Sequence, residues 1–394
     1  MAAERPRLIC VHPNNEIGGS DIALVRLIEA LGTRDYDIAA VVPGQGPITP
    51  LLQDAGARVH VLPMVQLRTL PSVSYQARYA ARLWPTVRDL AALIRAERAD
   101  LVYTNSLYCL YGGFAARLAG RAHLWHVREI PAAIPVLRPA LGRMVLRLSR
   151  VVACMSHAVS DALFGARAND PRIRHIGEGV DLRRWSRSAV ARDVRAELGI
   201  APDAPVVGFV ARLDPWKGLD VFLEAAAQVA RAVPDAVFLV SGDAPGGMEA
   251  YRDRMVARAA ALGLGDRIRF LGWRYRLDDI PALMAAFDVF CHTAIAPEPF
   301  GMVIIEAMAM GCPVIAARSG GPMEIVEDGV SGLLTTPGDA AALAGAMLSV
   351  LRDPALRARL AVGGRARVEA RYSREEHAAD ARALFDHALG RSRA

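Results

Sequence analysis

One residue type is nearly missing from this 394-residue chain: lysine occurs once, at Lys217, within a combined Lys and Arg count of 47. Arginine therefore supplies every other fixed positive side-chain charge. A compact ammonium on a flexible stem suits a phosphate, whereas the planar arginine fork suits a bidentate carboxylate. A surface turn that kept its lysine by chance is the plain alternative. Aromatic residues are few (6%) and are not interleaved with the arginines, which argues against a single-stranded nucleic-acid binder. No apolar run reaches the roughly 20 residues of a membrane-spanning helix. The opening MAAERPRLICVHP lacks the long apolar core and cleavage site of a signal peptide, so the expectation is a cytoplasmic protein, peripheral at most on the inner membrane face. The five cysteines (Cys10, Cys109, Cys154, Cys291, Cys312) form no C-x-x-C pair and read as small buried hydrophobes in a reducing compartment.

What is present describes a folded globular protein, 53% hydrophobic with Pro and Gly spread along the chain. The length exceeds one ordinary core and implies two domains. Strand-like runs RLICVH, DIAAVV, ARVHVLP, LVYTN, HLWHV and RVVACMS alternate with helical stretches at 20–31, 85–98 and 112–119. After a polar segment the alternation restarts with VVGFVA, AVFLVSG, IRFLG, DVFCHT, PVIAA and GLLTT, and with helices at 219–232, 280–286 and 302–310. Strands separated by helices imply parallel sheets with right-handed crossovers. The fold class is therefore α/β, two Rossmann-like doubly wound domains: 1–185, a linker 186–204, 205–372, and a C-terminal helix 373–394 that begins at a Ser373/Glu376 capping box.

The net charge of +6 and pI near 9.3 call for an anionic partner. One basic segment, IPVLRPALGRMVLRLSR from Ile134 to Arg150, places Arg143, Arg147 and Arg150 on one helix face. Such a helix suits an anionic bilayer surface or a lipid phosphate. It equally suits an ordinary helix packed on a sheet with a solvated arginine face.

In doubly wound sheets ligands sit beyond the carboxyl ends of the strands. In HPNNEIGGSDIALV, Gly18 and Gly19 allow close backbone approach, with Ser20 or Asp21 placed to cap the following helix. In ARLDPWKG, Arg212 and Lys217 can reach over one strand end and suit a diphosphate. In APEPFGMVIIEAMAM, Glu306 is a lone carboxylate in an apolar helix; it needs donors, such as a ribose diol or a buried arginine. The amides of Gly301, Met302 and Val303 would face an anion. Gly320 and Gly321 supply another close-approach turn. Asp35-Tyr36-Asp37 has the D-x-D spelling but precedes its strand, so it reads as surface carboxylates, and Asp278-Asp279 reads as a helix N-cap pair.

The Glu298/Glu306 pair, spelled EPFGMVIIE, with ARLDPWKG upstream and SGGPMEIV downstream, resembles the large Glu-x7-Glu family of retaining GT-B glycosyltransferases. NNEIGGS, HLWHVRE, CMSHAVSDAL and GEGVDLRRW extend the resemblance over nearly the whole chain. It implies that Arg212 and Lys217 bind the donor diphosphate, that Glu306 holds the nucleotide ribose, and that the C-terminal helix 373–394 crosses back to the first domain. Glu298 and the backbone of Phe300 to Val303 would meet the donor sugar and phosphates. His126 would lie near the transferred sugar, Gly19 would approach the diphosphate from the first domain, and the base would be read near Gly272-Trp273-Arg274. Two departures stand out: Glu178-Gly179-Val180-Asp181 where the family often has Asn-Gly-Val-Asp, and Ser241-Gly242-Asp243-Ala244-Pro245, which leaves a phosphate role for Gly242 weak. The expected activity is metal-independent, retaining transfer of a hexosyl-type group from a nucleotide-diphosphate sugar to a glycan, lipid-linked or phosphorylated acceptor, with no cofactor beyond that co-substrate. A sugar-nucleotide epimerase and a non-catalytic nucleotide-sugar-binding subunit are the alternatives.

Overall fold

In the computed structural model, whose described residues are 5–67, 72–131, 135–273 and 279–391, the short apolar runs become parallel strands. The first sheet contains β1 (Arg7–Val11), β2 (Asp37–Val42), β3 (Arg58–Val61), β4 (Leu101–Thr104), β5 (Ala122–Val127), β6 (Val151–Cys154) and β7 (Ile173–His175), in the order β3-β2-β1-β4-β5-β6-β7. The second contains β8 (Val206–Val210), β9 (Val237–Ser241), β10 (Ile268–Gly272), β11 (Val289–His292), β12 (Val314–Ala317) and β13 (Leu333–Thr335), in the order β10-β9-β8-β11-β12-β13. Central strands such as VVGFV and VVAC are buried at every residue, because helices cover both faces. In each sheet the chain reverses direction once, between β1 and β4 and between β8 and β11. Those two strand pairs open crevices at their carboxyl ends.

The chain divides into two compact units, Met1–Gly179 with Glu375–Ala394, and Val180–Arg374. The terminal helix Arg374–Leu389 starts one residue after the Ser373 expected to open it. Its Ala381, Leu384, Phe385 and Ala388 join the first unit's core beside Leu8, Cys10 and Tyr103, and Tyr36 Oη donates to Asp386 at 3.1 Å. The polar segment 186–204, read from sequence as a linker, lies against the second unit. Arg187 donates to the carbonyls of Ala285 (2.9 Å) and Met310 (3.1 Å), and Arg195 to Ala286 (2.9 Å) and to Asp288 (2.7 Å). Cations at carbonyls left open by helix ends are favourable.

Helix bounds follow the sequence reading except at Pro85. The helix expected to begin there runs Val73–Ala96, capped by Ser72, which accepts from Tyr75 N at 3.3 Å. Pro85 is exposed, so water can serve the carbonyl its missing N–H leaves open. The five cysteines are buried and unpaired.

Candidate active site

The crevice between β8 and β11 gathers most of the charged candidates. The loop after β8 is tied to its neighbours by Ala211 N to Ser241 O (3.1 Å) and Leu213 N to Asp243 O (2.9 Å), then closes a single 3-10 turn over Pro215–Lys217. Gly218 follows at φ 70°, and a Cβ there would lie 2.0 Å from the carbonyl oxygen of Thr293. Thr293 Oγ1 donates to the carbonyls of Lys217 and Gly218, fastening this turn to the loop after β11. That packing aims the only lysine across the crevice. Its Nζ meets Glu298 Oε2 and lies 3.9 Å from the centre of the Trp216 ring. Glu298 Oε2 also receives His292 Nε2 at 3.2 Å. Burial works to raise the Glu298 pKa, but the Lys217 ammonium and the His292 ring outweigh it and hold the carboxyl at about 2. Glu298 is therefore an anion at neutral pH and not a proton donor.

Arg212 lies on the same loop, 57% exposed and paired with Asp214. Beyond Glu298 the chain passes the buried Phe300, set edge-on to Tyr372 at 5.9 Å, and turns at Gly301 (φ 110°) into the helix Met302–Ala309. The first intrahelical bond is Ile304 N to Gly301 O at 2.9 Å, so the amides of Gly301, Met302 and Val303 precede the ladder. Glu306 is buried in this helix (8% exposed) among Ile304, Ile305, Ala307 and Met308.

Three glycines pack closely against backbone. Cβ atoms at Gly320 and Gly321 would lie 2.3 Å from Glu298 O and 2.5 Å from Phe300 Cα. Gly242, expected at the donor, is packed in the same way. Its amide already donates to Gly272 O at 2.9 Å, and a Cβ at its φ of 128° would sit 1.8 Å from Ala211 O. Trp273 is exposed at the end of β10, and its expected neighbour Arg274 lies outside the described residues. So does Asp278, while Asp279 makes no side-chain cap and pairs with Arg192 at 2.8 Å.

The first unit carries the remaining candidates. Gly18 occupies the N-cap position of the helix Gly19–Leu31, which has no side-chain cap; Asp21, expected near the cap, turns inward instead. A Cβ at Gly19 would meet nothing within 4 Å, so its backbone is open to approach. In the crevice between β1 and β4, His12 Nε2 donates to Asp21 Oδ1 (2.8 Å), and Asn105 Nδ2 donates to His12 Nδ1 (3.1 Å) and to Ser20 O (3.0 Å). Asn105 Oδ1 then accepts from Tyr103 Oη (2.7 Å), whose oxygen meets His126 Nδ1 at 2.8 Å. Because Asn105 uses its amide nitrogen on two acceptors, its oxygen must accept. Tyr103 therefore donates to Asn105, and His126 Nδ1 lies between the Tyr103 hydroxyl and Arg128 Nη1, which is 3.4 Å away. His126 Nε2 is buried with no hydrogen-bond partner among the described residues. Burial, with the Arg128 charge adding, drives the His126 pKa well below the ordinary histidine value, so the ring is neutral.

Sequence reasoning missed His12, Asp21, Tyr103 and Asn105 as a connected set, and His292 beside Glu298. It also passed over Arg128, whose Nη2 forms a buried ion pair with Glu178. Two signals were available. Arg128 lies two residues from His126, the spacing that puts side chains on one face of an extended chain. Glu178 replaces a neutral family residue, and the arginine opposite accounts for the change.

Both units show the two-domain, parallel-sheet architecture of GT-B glycosyltransferases, and the chain belongs to that enzyme class. Residues 17–184 match the family model "Glycosyltransferase Family 4" and residues 190–367 match "Glycosyl transferases group 1". A D-inositol 3-phosphate glycosyltransferase of Salinispora arenicola is 34% identical over 89% of this chain and 83% of its own length. A GDP-mannose-dependent monoacylated alpha-(1-6)-phosphatidylinositol monomannoside mannosyltransferase of Corynebacterium glutamicum is 30% identical over 74% of this chain and 77% of its own. The crystal structure of Anabaena Alr3699/HepE in complex with UDP is 29% identical, covers 97% of this chain and 100% of that one, and superimposes with a TM-score of 0.82. Among the described residues no helix is long and apolar enough to cross a membrane.

Proposed function

We propose that this glycosyltransferase moves a hexosyl-type group from a nucleotide-diphosphate sugar to a hydroxyl acceptor with retention of anomeric configuration and without a metal ion. The observation that carries this reading is the meeting of Lys217 and Glu298 at the β8/β11 crevice, beside Arg212 and the first amides of the helix Met302–Ala309. Lys217 and Arg212 neutralise the diphosphate, Glu298 and the amides of Gly301 to Val303 meet the sugar and phosphates, and Glu306 accepts from the ribose hydroxyls. Gly19 offers open backbone on the first unit with Gly18 at its helix N-cap, and His126 offers a neutral ring whose Nε2 has no partner among the described residues.

In the reaction the bond between the sugar's anomeric carbon and the phosphate oxygen breaks, and its electron pair stays on the phosphate. The acceptor oxygen bonds the same face of that carbon and its proton passes to the departing phosphate. Negative charge grows on the leaving group, so cations and amides fixed there stabilise the transition state more than the ground state. The relatives named for UDP and for GDP-mannose support a nucleotide-sugar donor. The relatives named for inositol phosphate and phosphatidylinositol mannoside favour a phosphorylated or lipid-linked acceptor in cell-envelope synthesis, met at the inner membrane face.

Proton NMR of the first product tests the stereochemistry: an α-configured donor should give an α linkage, and a β linkage contradicts retention. Activity lost in EDTA and restored by Mg²⁺ contradicts the metal-free reading.

A further inference from the structure

A cavity of the first unit lies at the end of its sheet opposite the β1/β4 crevice. The helix Arg138–Leu148 ends where β6 begins, and residues 169–172 lead into the start of β7, so both lie at the amino ends of the strands. Between them opens a cavity of about 610 Å³ lined by Arg143, Arg147, Arg167, Arg172, Asn169 and Asp170. Four guanidinium groups face one carboxylate. Asp170 gives both oxygens to Arg172, with Nε to Oδ1 at 2.9 Å and Nη2 to Oδ2 at 2.7 Å, and Arg172 Nη1 donates to Leu146 O at 2.6 Å. Asp170 is thereby held ionised, with its pKa lowered to about 2 by Arg172 first and more weakly by Arg167.

The side chains of Arg143, Arg147 and Arg167 make no hydrogen bond or ion pair with any described residue, whereas Arg58 holds Asp37 and Glu97, and Arg192 holds Glu197 and Asp279. Like charges facing one concavity repel, and a multivalent anion relieves that repulsion. Guanidinium forks match phosphate oxygens two at a time.

We infer that this cavity is a second anion site that binds a phosphate group carrying at least two negative charges, apart from the sugar-transfer site. The inference does not rest on the transfer chemistry. It replaces a diffuse basic helix face by a defined concavity whose far wall, Arg167 and Arg172, comes from another part of the chain. The same chemistry can be offered by a free phosphorylated molecule or by a phospholipid headgroup.

Calorimetric titration with inorganic pyrophosphate, and co-sedimentation with vesicles containing phosphatidic acid, a phosphomonoester lipid, against phosphatidylcholine vesicles, separate these sources. The proteins compared are wild type, the triple variant R143Q/R147Q/R167Q, Asn169→Glu and Lys217→Ala. Pyrophosphate should occupy two sites in the wild type. The triple variant should lose one and Lys217→Ala should weaken the other, so failure of the donor site and failure of this one are distinguishable. Each guanidinium lost should weaken binding about tenfold, and Asn169→Glu should mimic the triple variant by placing a carboxylate in the cavity. Vesicle binding that the triple variant abolishes, without the second pyrophosphate site, makes the source a lipid phosphate. Wild-type isotherms and vesicle binding unchanged in both cavity variants would overturn the proposal. The three arginines have no partners to lose, so an unchanged melting point serves as the folding control.

Discussion

The two crevices of this enzyme are built alike and filled differently. Between β1 and β4 the chain places a hydrogen-bonded string, His12, Asn105, Tyr103 and His126, anchored by the carboxylate of Asp21 and buried throughout. Between β8 and β11 it places an ammonium against a carboxylate, with an exposed guanidinium beside them. A satisfied buried network rigidifies and specifies its surroundings, whereas a charged pair at a crevice mouth can exchange partners when an anion arrives. The same topology thus holds a buried hydrogen-bonded string in one unit and a charged pair in the other.

The largest effect should come from taking the charge out of the second crevice. Lys217→Ala is expected to lower kcat/KM by about 10² to 10³, the scale for losing one group that stabilises transition-state charge. Its thermal stability should fall far less than its activity, because Glu298 can regain water. Next, breaking the ion pair of the first unit with Arg128→Met should cost about 3–5 kcal/mol in urea unfolding, since Glu178 is left buried and unpaired. The double replacement Arg128→Met with Glu178→Leu should recover most of that loss. A single replacement as harmless as the double one would show that the pair is not buried in solution.

Acidity separates the crevices further. His126 is neutral when folded but takes up a proton when unfolded, below its ordinary value of 6.5, so stability should fall as pH drops through that value. Glu298 adds a second loss as pH falls from 4.5 toward 2. Melting points measured from pH 8 to pH 4 should show the first step in the wild type and a shallower one in His126→Gln. The smallest effect belongs to Tyr103→Phe, about 1 kcal/mol of stability for one buried hydroxyl. Its sharper readout is the ¹⁵N spectrum of His126, where a shifted Nδ1 resonance is expected; an unchanged spectrum would show that the Tyr103 hydroxyl does not hydrogen-bond the ring.

Much of this was legible in the chain. Alternating apolar runs gave the strands and their order of appearance, because strands buried on both faces leave unbroken runs of Val, Ile, Ala and Phe. The loop after β8 stood out through its lone lysine. What was hidden is long-range pairing: Lys217 and Glu298 are 81 residues apart, and Arg128 and Glu178 are 50 apart. Nothing local marks such partners. The contacts of Arg187 and Arg195 were hidden for a related reason, since the backbone carbonyls of Ala285 and Ala286 that they meet lie 98 and 91 residues away in sequence.

The central claim is that the β8/β11 crevice binds the donor diphosphate through Lys217. Thermal-shift measurements with UDP, GDP, ADP and their sugar derivatives test it most directly on wild type and Lys217→Ala. A ligand at about one hundred times its dissociation constant adds roughly 2.7 kcal/mol of stability. One nucleotide class should raise the wild-type melting point and do so much less in the variant. Equal stabilisation of both proteins, or of neither by any nucleotide, would contradict the account.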